Sequence, residues 1–180
     1  KRDIERLVER HVRESIALSI IPEIRNSRSI MDVGAGAGFP SIPLHLLHNF
    51  KNISVVESNR KKALFLKAMK DVLSLENYSV YNERVESMIG DNAQKVKQYQ
   101  TIIMRAVGNL LPNLKILMRM IDVSSGKGQI LIPRGRMALE RPREILPNLF
   151  MSSYYVSLGK TMESQVEHRK GMEVLVFTKK

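Results

Sequence analysis

The chain has no cysteine and no tryptophan, aromatic residues make up only 6% of it, and no apolar run approaches the roughly 18 residues of a membrane span. Without a thiol there can be no disulfide framework, no thiolate zinc site and no cysteine-ligated cluster, so an oxidising compartment is not required. Without a long apolar run or a signal-peptide core, a cytoplasmic protein with no membrane partner is expected. Acidic residues are also scarce: 18 Asp and Glu stand against 29 Lys and Arg, giving a net charge of +11 and a pI near 10.0. Such an excess concentrates a protein around a polyanion through steering and counterion release. Nucleic acid is therefore the expected partner, with plain surface solvation as the alternative.

What is present points to a globule. The 180 residues, 43% of them apolar, suit one domain with a three-layer core, and a single domain over 1–180 is expected, its first 28 residues a helical segment. Apolar residues at Ile4, Leu7, Val8, Val12, Ile16, Ala17, Ile20 and Ile21 are spaced as one helix face, predicting a packing helix over 2–24. The sequence opens at Lys1 inside that pattern, so residues preceding it are expected. His11 has no companion at metal-ligand spacing, and no metal is expected.

The stretch Ile30-Met31-Asp32-Val33-Gly34-Ala35-Gly36-Ala37-Gly38-Phe39-Pro40-Ser41-Ile42-Pro43-Leu44 reads as a buried strand, a glycine turn and the start of a helix. Alternating glycines admit positive φ and let a ligand lie against main-chain N–H groups. Apolar strands follow at 53–57, 78–82, 101–106 and 128–132, with helices predicted over 59–75 and 109–121 and a short polar one near 91–97. In the helix from 59, Phe65, Leu66, Met69, Val72 and Leu73 make the predicted buried stripe, and Ser58 or Asn59 the cap. The last two strands, 154–158 and 172–178, have no helix between them and can pair antiparallel. The fold expected is α/β and Rossmann-like: a seven-stranded, mostly parallel sheet ending in an antiparallel hairpin, the layout of a class I methyltransferase.

Glycine spacing narrows the ligand. A dinucleotide fingerprint needs G-x-G-x-x-G, whereas the position three after Gly36 is Phe39 and the spacing is G-x-G-x-G. Asp32 precedes the turn and Glu57 ends the next strand. One carboxylate suits an ammonium and the other suits ribose hydroxyls, so S-adenosylmethionine, which carries both and no phosphate, is the predicted cofactor. The plain alternative is a turn needed only for tight strand-to-helix packing. Arg84-Val85-Glu86, after the third strand, is placed to cover the adenine, with Val85 stacking or a main-chain N–H bonding the base and Glu86 accepting from its amine. Arg105 closes an apolar strand, where a charge rarely stays buried unpaired, and is expected to face the cleft.

Direct displacement from a sulfonium asks the protein for alignment and electrostatics. Methylation at a pyrimidine carbon usually needs a cysteine nucleophile, which is absent. Exocyclic amines are commonly held by an Asn- or Asp-Pro-Pro-aromatic turn, where this chain has Met104-Arg105-Ala106-Val107. A ring nitrogen such as guanine N7 presents a lone pair and needs no base, which these residues allow.

With those residues in hand, the chain resembles the bacterial methyltransferase G family of small-subunit ribosomal RNA, also called glucose-inhibited division protein B. The likeness starts near Glu9-Arg10-His11. It rests on the block from Asp32 to Leu44, on Lys61-Lys62-Ala63-Leu64-Phe65-Leu66, on Arg84-Val85-Glu86 and on Arg105-Ala106. It implies S-adenosylmethionine-dependent methylation of a guanine N7 in 16S ribosomal RNA, with cofactor contacts at Gly34, Phe39, Val85, Glu86 and Arg105. Gly36, Gly38, Glu57 and Ser58 complete the expected cofactor set, and Arg105 is the expected catalytic residue. Arg60, Lys61, Lys62, Arg134 and Arg136 are the expected RNA contacts, and a monomer acting on 16S RNA or the small subunit is expected. The family usually has Gly where Ser41 stands and Lys-Gly where Arg134-Gly135 stands, and carries an N-terminal helical segment. Another RNA or a ribosomal protein as substrate, or a non-catalytic RNA-binding role, are the competing readings.

Overall fold

The computed structural model describes residues 11–89, 98–105, 110–124, 128–134, 149–157 and 171–179. Strand β1 (Ser29–Val33) is buried along nearly all its length because it lies inside the sheet, flanked by β2 (Asn52–Val56) and β4 (Thr101–Met104). With β3 (Tyr78–Tyr81), β5 (Gln129–Arg134), β6 (Leu149–Ser157) and β7 (Gly171–Lys179), the order across the sheet is β3-β2-β1-β4-β5-β7-β6. The first five of these strands run parallel; β7 enters antiparallel between β5 and β6. The expected sheet and terminal hairpin are therefore present. The hairpin strands run longer than their apolar cores suggest, and Pro133 and Arg134, beyond the expected strand end at 132, are strand residues paired with Val174 and Glu173. Antiparallel pairing satisfies the backbone wherever a partner continues, whatever the side chains.

Side chains alternate between two covered faces. Ile30, Ile53, Val55 and Tyr78 lie in one cluster with Leu18, Ile24, Leu44 and Leu66, from α1 (Arg13–Leu18), α2 (Pro22–Arg25), α3 (Ser41–His48) and α4 (Arg60–Val72). Met31, Val33, Val56, Ile102 and Met104 face Leu114 and Leu117 of α5 (Leu110–Leu117) and Val85 of a short 3₁₀ helix (Val85–Met88). No described helix is long and apolar enough to cross a membrane. The predicted helix near 91–97 lies outside the described residues.

The N-terminal helix departs from expectation. It breaks after Leu18 and restarts at Pro22, with Ile21 extended at φ −70° and ψ 120°, because a residue before proline is pushed out of the α region and proline suits a first helical position. Its inward residues are Glu14, Ser15 and Leu18, whereas Ile16 and Ile20 from the apolar stripe are exposed. In α4 likewise Ala63 and Leu66 are buried but Phe65 and Val72 are exposed, and in α3 Leu46 and Leu47 are exposed. Four of these outward residues, Ile16, Leu46, Leu47 and Phe65, line an apolar groove of about 450 Å³ together with the half-buried Val12. Helical spacing located an apolar face correctly but took the groove wall for the core contact.

Candidate functional site

Strand register assembles the site. Val33 pairs with Val56 and with Met104, and Val56 pairs with Tyr81, so the next residues, Gly34, Glu57, Asn82 and Arg105, stand in a row at the C-terminal edge. A glycine turn is thus flanked by a carboxylate on one side and a guanidinium on the other, where strand order reverses between β1 and β4.

The turn is pinned from two sides. Gly34 donates to the Val56 carbonyl at 2.8 Å, and Gly36 N–H donates to Glu57 Oε2 at 2.9 Å. Glu57 Oε1 accepts from Asn59 N at 2.8 Å, so the largely buried carboxylate joins the turn to the start of α4. From below, Asp32 Oδ2 accepts the Ser41 N–H at 3.3 Å, the first helical residue of α3, where a negative charge is favoured by the helix dipole. Asp32 has no solvent exposure, and its Oδ1 has no hydrogen-bond partner among the described residues. It lies beneath the turn rather than beside the ligand face where its place in the sequence suggested, because strand alternation puts it on the Ile30 face of β1, which α1 to α4 cover.

The glycines serve different ends. Gly36 has φ +61° and a Cβ there would meet nothing closer than 4.0 Å, so its outer side is open to a ligand. Gly38 has φ +89°, and a Cβ would lie 2.3 Å from Ile42 Cδ1 and 3.2 Å from Leu66 Cδ2. Tight strand-to-helix packing is what Gly38 provides. Phe39 stacks on His11 of the N-terminal segment, centroids 5.5 Å apart, and joins the apolar groove.

Arg105 is mostly buried and forms an ion pair with Glu14 of α1, and its charge also bears on Asp32. Ser58 is exposed beside Glu57; the cap of α4 is Asn59, whose Oδ1 accepts from Lys61 and Lys62 N–H. The Val85 side chain is buried in the second core cluster, which leaves its main chain, not its side chain, for a base; Glu86 is exposed. Arg60, Lys61 and Lys62 are all exposed on the first turn of α4. Arg134 ends β5, and Arg136 lies outside the described residues.

Residues that pattern reading passed over are Asn82, Glu14, Ser41 and Tyr78. Asn82 donates from Nδ2 to the carbonyls of Glu57 and Ser58, fixing the loop after β2. Glu14 carried a signal, a carboxylate inside an apolar helix, and Ser41 another, a hydroxyl amid a glycine and proline block.

A switch-point sheet of this order, with a glycine turn after β1 and a carboxylate after β2, defines the class I S-adenosylmethionine-dependent methyltransferase fold. Precorrin-6y C5,15-methyltransferase from Geobacter metallireducens is similar at this level: TM-score 0.66 and 16% identity, covering 93% of this chain and 87% of the other. The profile described as rRNA small subunit methyltransferase G (GidB) matches residues 1–168, and the chain belongs to that family. It is 30% identical over 135 residues to the Ribosomal RNA small subunit methyltransferase G of Chloroflexus aggregans, covering 75% of this chain and 55% of the relative. The protein of the same name from Pseudomonas entomophila is 39% identical over 110 residues, 61% of this chain and 48% of its own length. The chain spans about half the length of the curated relatives it matches.

Proposed function

We propose that this chain binds S-adenosylmethionine at the glycine turn and methylates N7 of a guanine in 16S ribosomal RNA. The observation that carries the reading is the pinned turn between Glu57 and Arg105 in a member of the GidB family. The residues fit the cofactor. Gly36 offers the open side against which a ligand can lie, Glu57 keeps lone pairs for ribose hydroxyls, and the start of the 3₁₀ helix at Val85 and Glu86 offers main-chain N–H and carboxylate to an adenine. Bound there, the cofactor supplies an electrophilic methyl group on sulfur. The guanine N7 lone pair needs no deprotonation before attack, so alignment is what remains for the protein to supply. Arg105, held by Glu14, can donate to the cofactor carboxylate or to the guanine edge. Arg60, Lys61 and Lys62 on the adjoining turn meet RNA phosphates, joined by Arg134 and Arg136. The protein acts as a monomer in the cytoplasm, and no metal takes part.

The test is methyl transfer to small ribosomal subunits that lack the mark, with the product position mapped by strand cleavage at N7-methylguanine. We expect one N7-methylated guanine in 16S RNA. Methyl label only in ribosomal protein, or at another RNA position, contradicts the reading.

A further inference from the structure

Among the described residues, main-chain pairing between β2 and β3 reaches as far as the Glu57 N–H, which donates to the Tyr81 carbonyl at 3.0 Å. Beyond it a side chain takes over. Asn82 Nδ2 donates to the Glu57 carbonyl at 2.9 Å and to the Ser58 carbonyl at 3.2 Å, so the two protons of one amide hold consecutive peptide groups. Glu57 is thereby fixed along its main chain by Tyr81 and Asn82, while its carboxylate is fixed by the N–H groups of Gly36 and Asn59. We propose that Asn82 is a positioning residue: acting through Glu57, it sets how strongly the site discriminates a ribose, with its two neighbouring hydroxyls, from a deoxy sugar. The inference rests on S-adenosylmethionine binding at this turn.

The chemistry follows from what the carboxylate has left to offer. It carries about four acceptor positions, of which Gly36 N–H takes one on Oε2 and Asn59 N–H one on Oε1. A ribose presents two adjacent O–H donors, and these meet one remaining position on each oxygen only when the carboxylate is held in one orientation. Glutamate is among the side chains that lose most rotamer freedom on being fixed, so fixing it before the ligand arrives is returned as affinity for the hydroxyls. Asn82 is exposed and uncharged, so replacing it by another neutral residue leaves the core and the net charge as they are. If the amide served only to close the sheet edge, cutting it would loosen the turn for every ligand alike.

The experiment is isothermal titration of S-adenosylmethionine and of its 2′,3′-dideoxyribose analogue into the full chain, for wild type, Asn82→Ala and Asn82→Gln, with amide hydrogen exchange of Gly36 and Asn59 followed without ligand. The decisive readout is the ratio of the two affinities on one protein, which partial unfolding leaves unchanged. We expect wild type to prefer the ribose by about tenfold or more, the worth of a hydrogen bond to a charged group. Asn82→Ala should bind S-adenosylmethionine about tenfold more weakly than wild type and the analogue within about twofold of it, and Asn82→Gln, which keeps both donors, should regain most of the preference. Without ligand, both amides should exchange faster in Asn82→Ala than in wild type. Equal losses for the two ligands make Asn82 a structural edge residue and overturn the inference, as do unchanged affinities or unchanged exchange. A wild type that binds S-adenosylmethionine and its analogue equally well takes Glu57 off the ribose and overturns this inference while cofactor binding stands. No binding by wild type overturns the proposed function and this inference together.

Discussion

A carboxyl group sealed from solvent directly under a glycine turn costs stability whenever it is ionised, and Asp32 is such a group. Its folded-state pKa, about 6, lies above the 3.8 of an ordinary aspartate, mainly through burial. The associated stability is fully present below about pH 4 and is lost as pH rises through 6, a change of roughly 3 kcal/mol at about 1.4 kcal/mol per pH unit. Asp32→Asn, of the same shape and still able to accept the Ser41 N–H, should gain on wild type by up to roughly 3 kcal/mol between pH 4.5 and 7. Urea denaturation of both proteins across that range measures it, and a pH-independent gap contradicts it. His45 and His48, lowered mainly by burial, contribute with the opposite sign, gaining as pH rises, but they cancel in the difference. Two glycines separate packing from binding at the same scale. Gly38→Ala drives a Cβ into Ile42 and should cost about 2 to 4 kcal/mol from overpacking and positive φ together. Gly36→Ala meets open space and should cost about 1 to 2 kcal/mol while weakening cofactor binding more. Thermal melts beside binding titrations distinguish them; equal losses in both readouts would remove the distinction.

At the scale of elements, the N-terminal helical segment is tied to the candidate site through two side chains, Glu14 of α1 on Arg105 and His11, just ahead of α1, on Phe39. Breaking a buried ion pair costs about 3 to 5 kcal/mol, and this pair keeps some solvent contact, so Arg105→Ala should lose about 2 to 4 kcal/mol. Removing Glu14 as well should cost little more, since the stranded charge is gone. Arg105→Ala should also slow methyl transfer by about ten- to a hundredfold under conditions where it remains folded, the worth of one charge-assisted contact. Unchanged turnover in the folded variant assigns Arg105 to structure alone.

The same elements mark how far the sequence could be read. The strand positions, the terminal hairpin, the glycine turn and the place of Glu57 at a strand end were legible because parallel strands buried on both faces are apolar throughout, and because a turn with positive φ needs glycine. Which face of α1 and α4 points inward was not legible, since the groove wall is as apolar as the core and periodicity cannot tell one from the other. Glu14 was missed because its partner, Arg105, is remote in sequence and becomes its neighbour only through the fold. Val85 follows the third strand as expected, yet its side chain turns to the core, because a loop residue's direction is set by the short helix it starts.

For the whole molecule, the net charge of +11 predicts electrostatic binding of RNA. The logarithm of affinity for a 16S fragment should fall linearly with the logarithm of salt. Replacing Arg60, Lys61 and Lys62 by alanine should shallow that slope by roughly 0.7 to 0.9 for each phosphate no longer neutralised. An unchanged slope would return those side chains to the solvated surface. Cofactor binding by the turn after β1 underlies all of these expectations of function, and isothermal titration of S-adenosylmethionine into wild type and Gly36→Val tests it directly. We predict one-to-one binding by wild type and none detectable by a Gly36→Val protein that still melts cooperatively. Equal binding by both, or no binding by wild type, would contradict it.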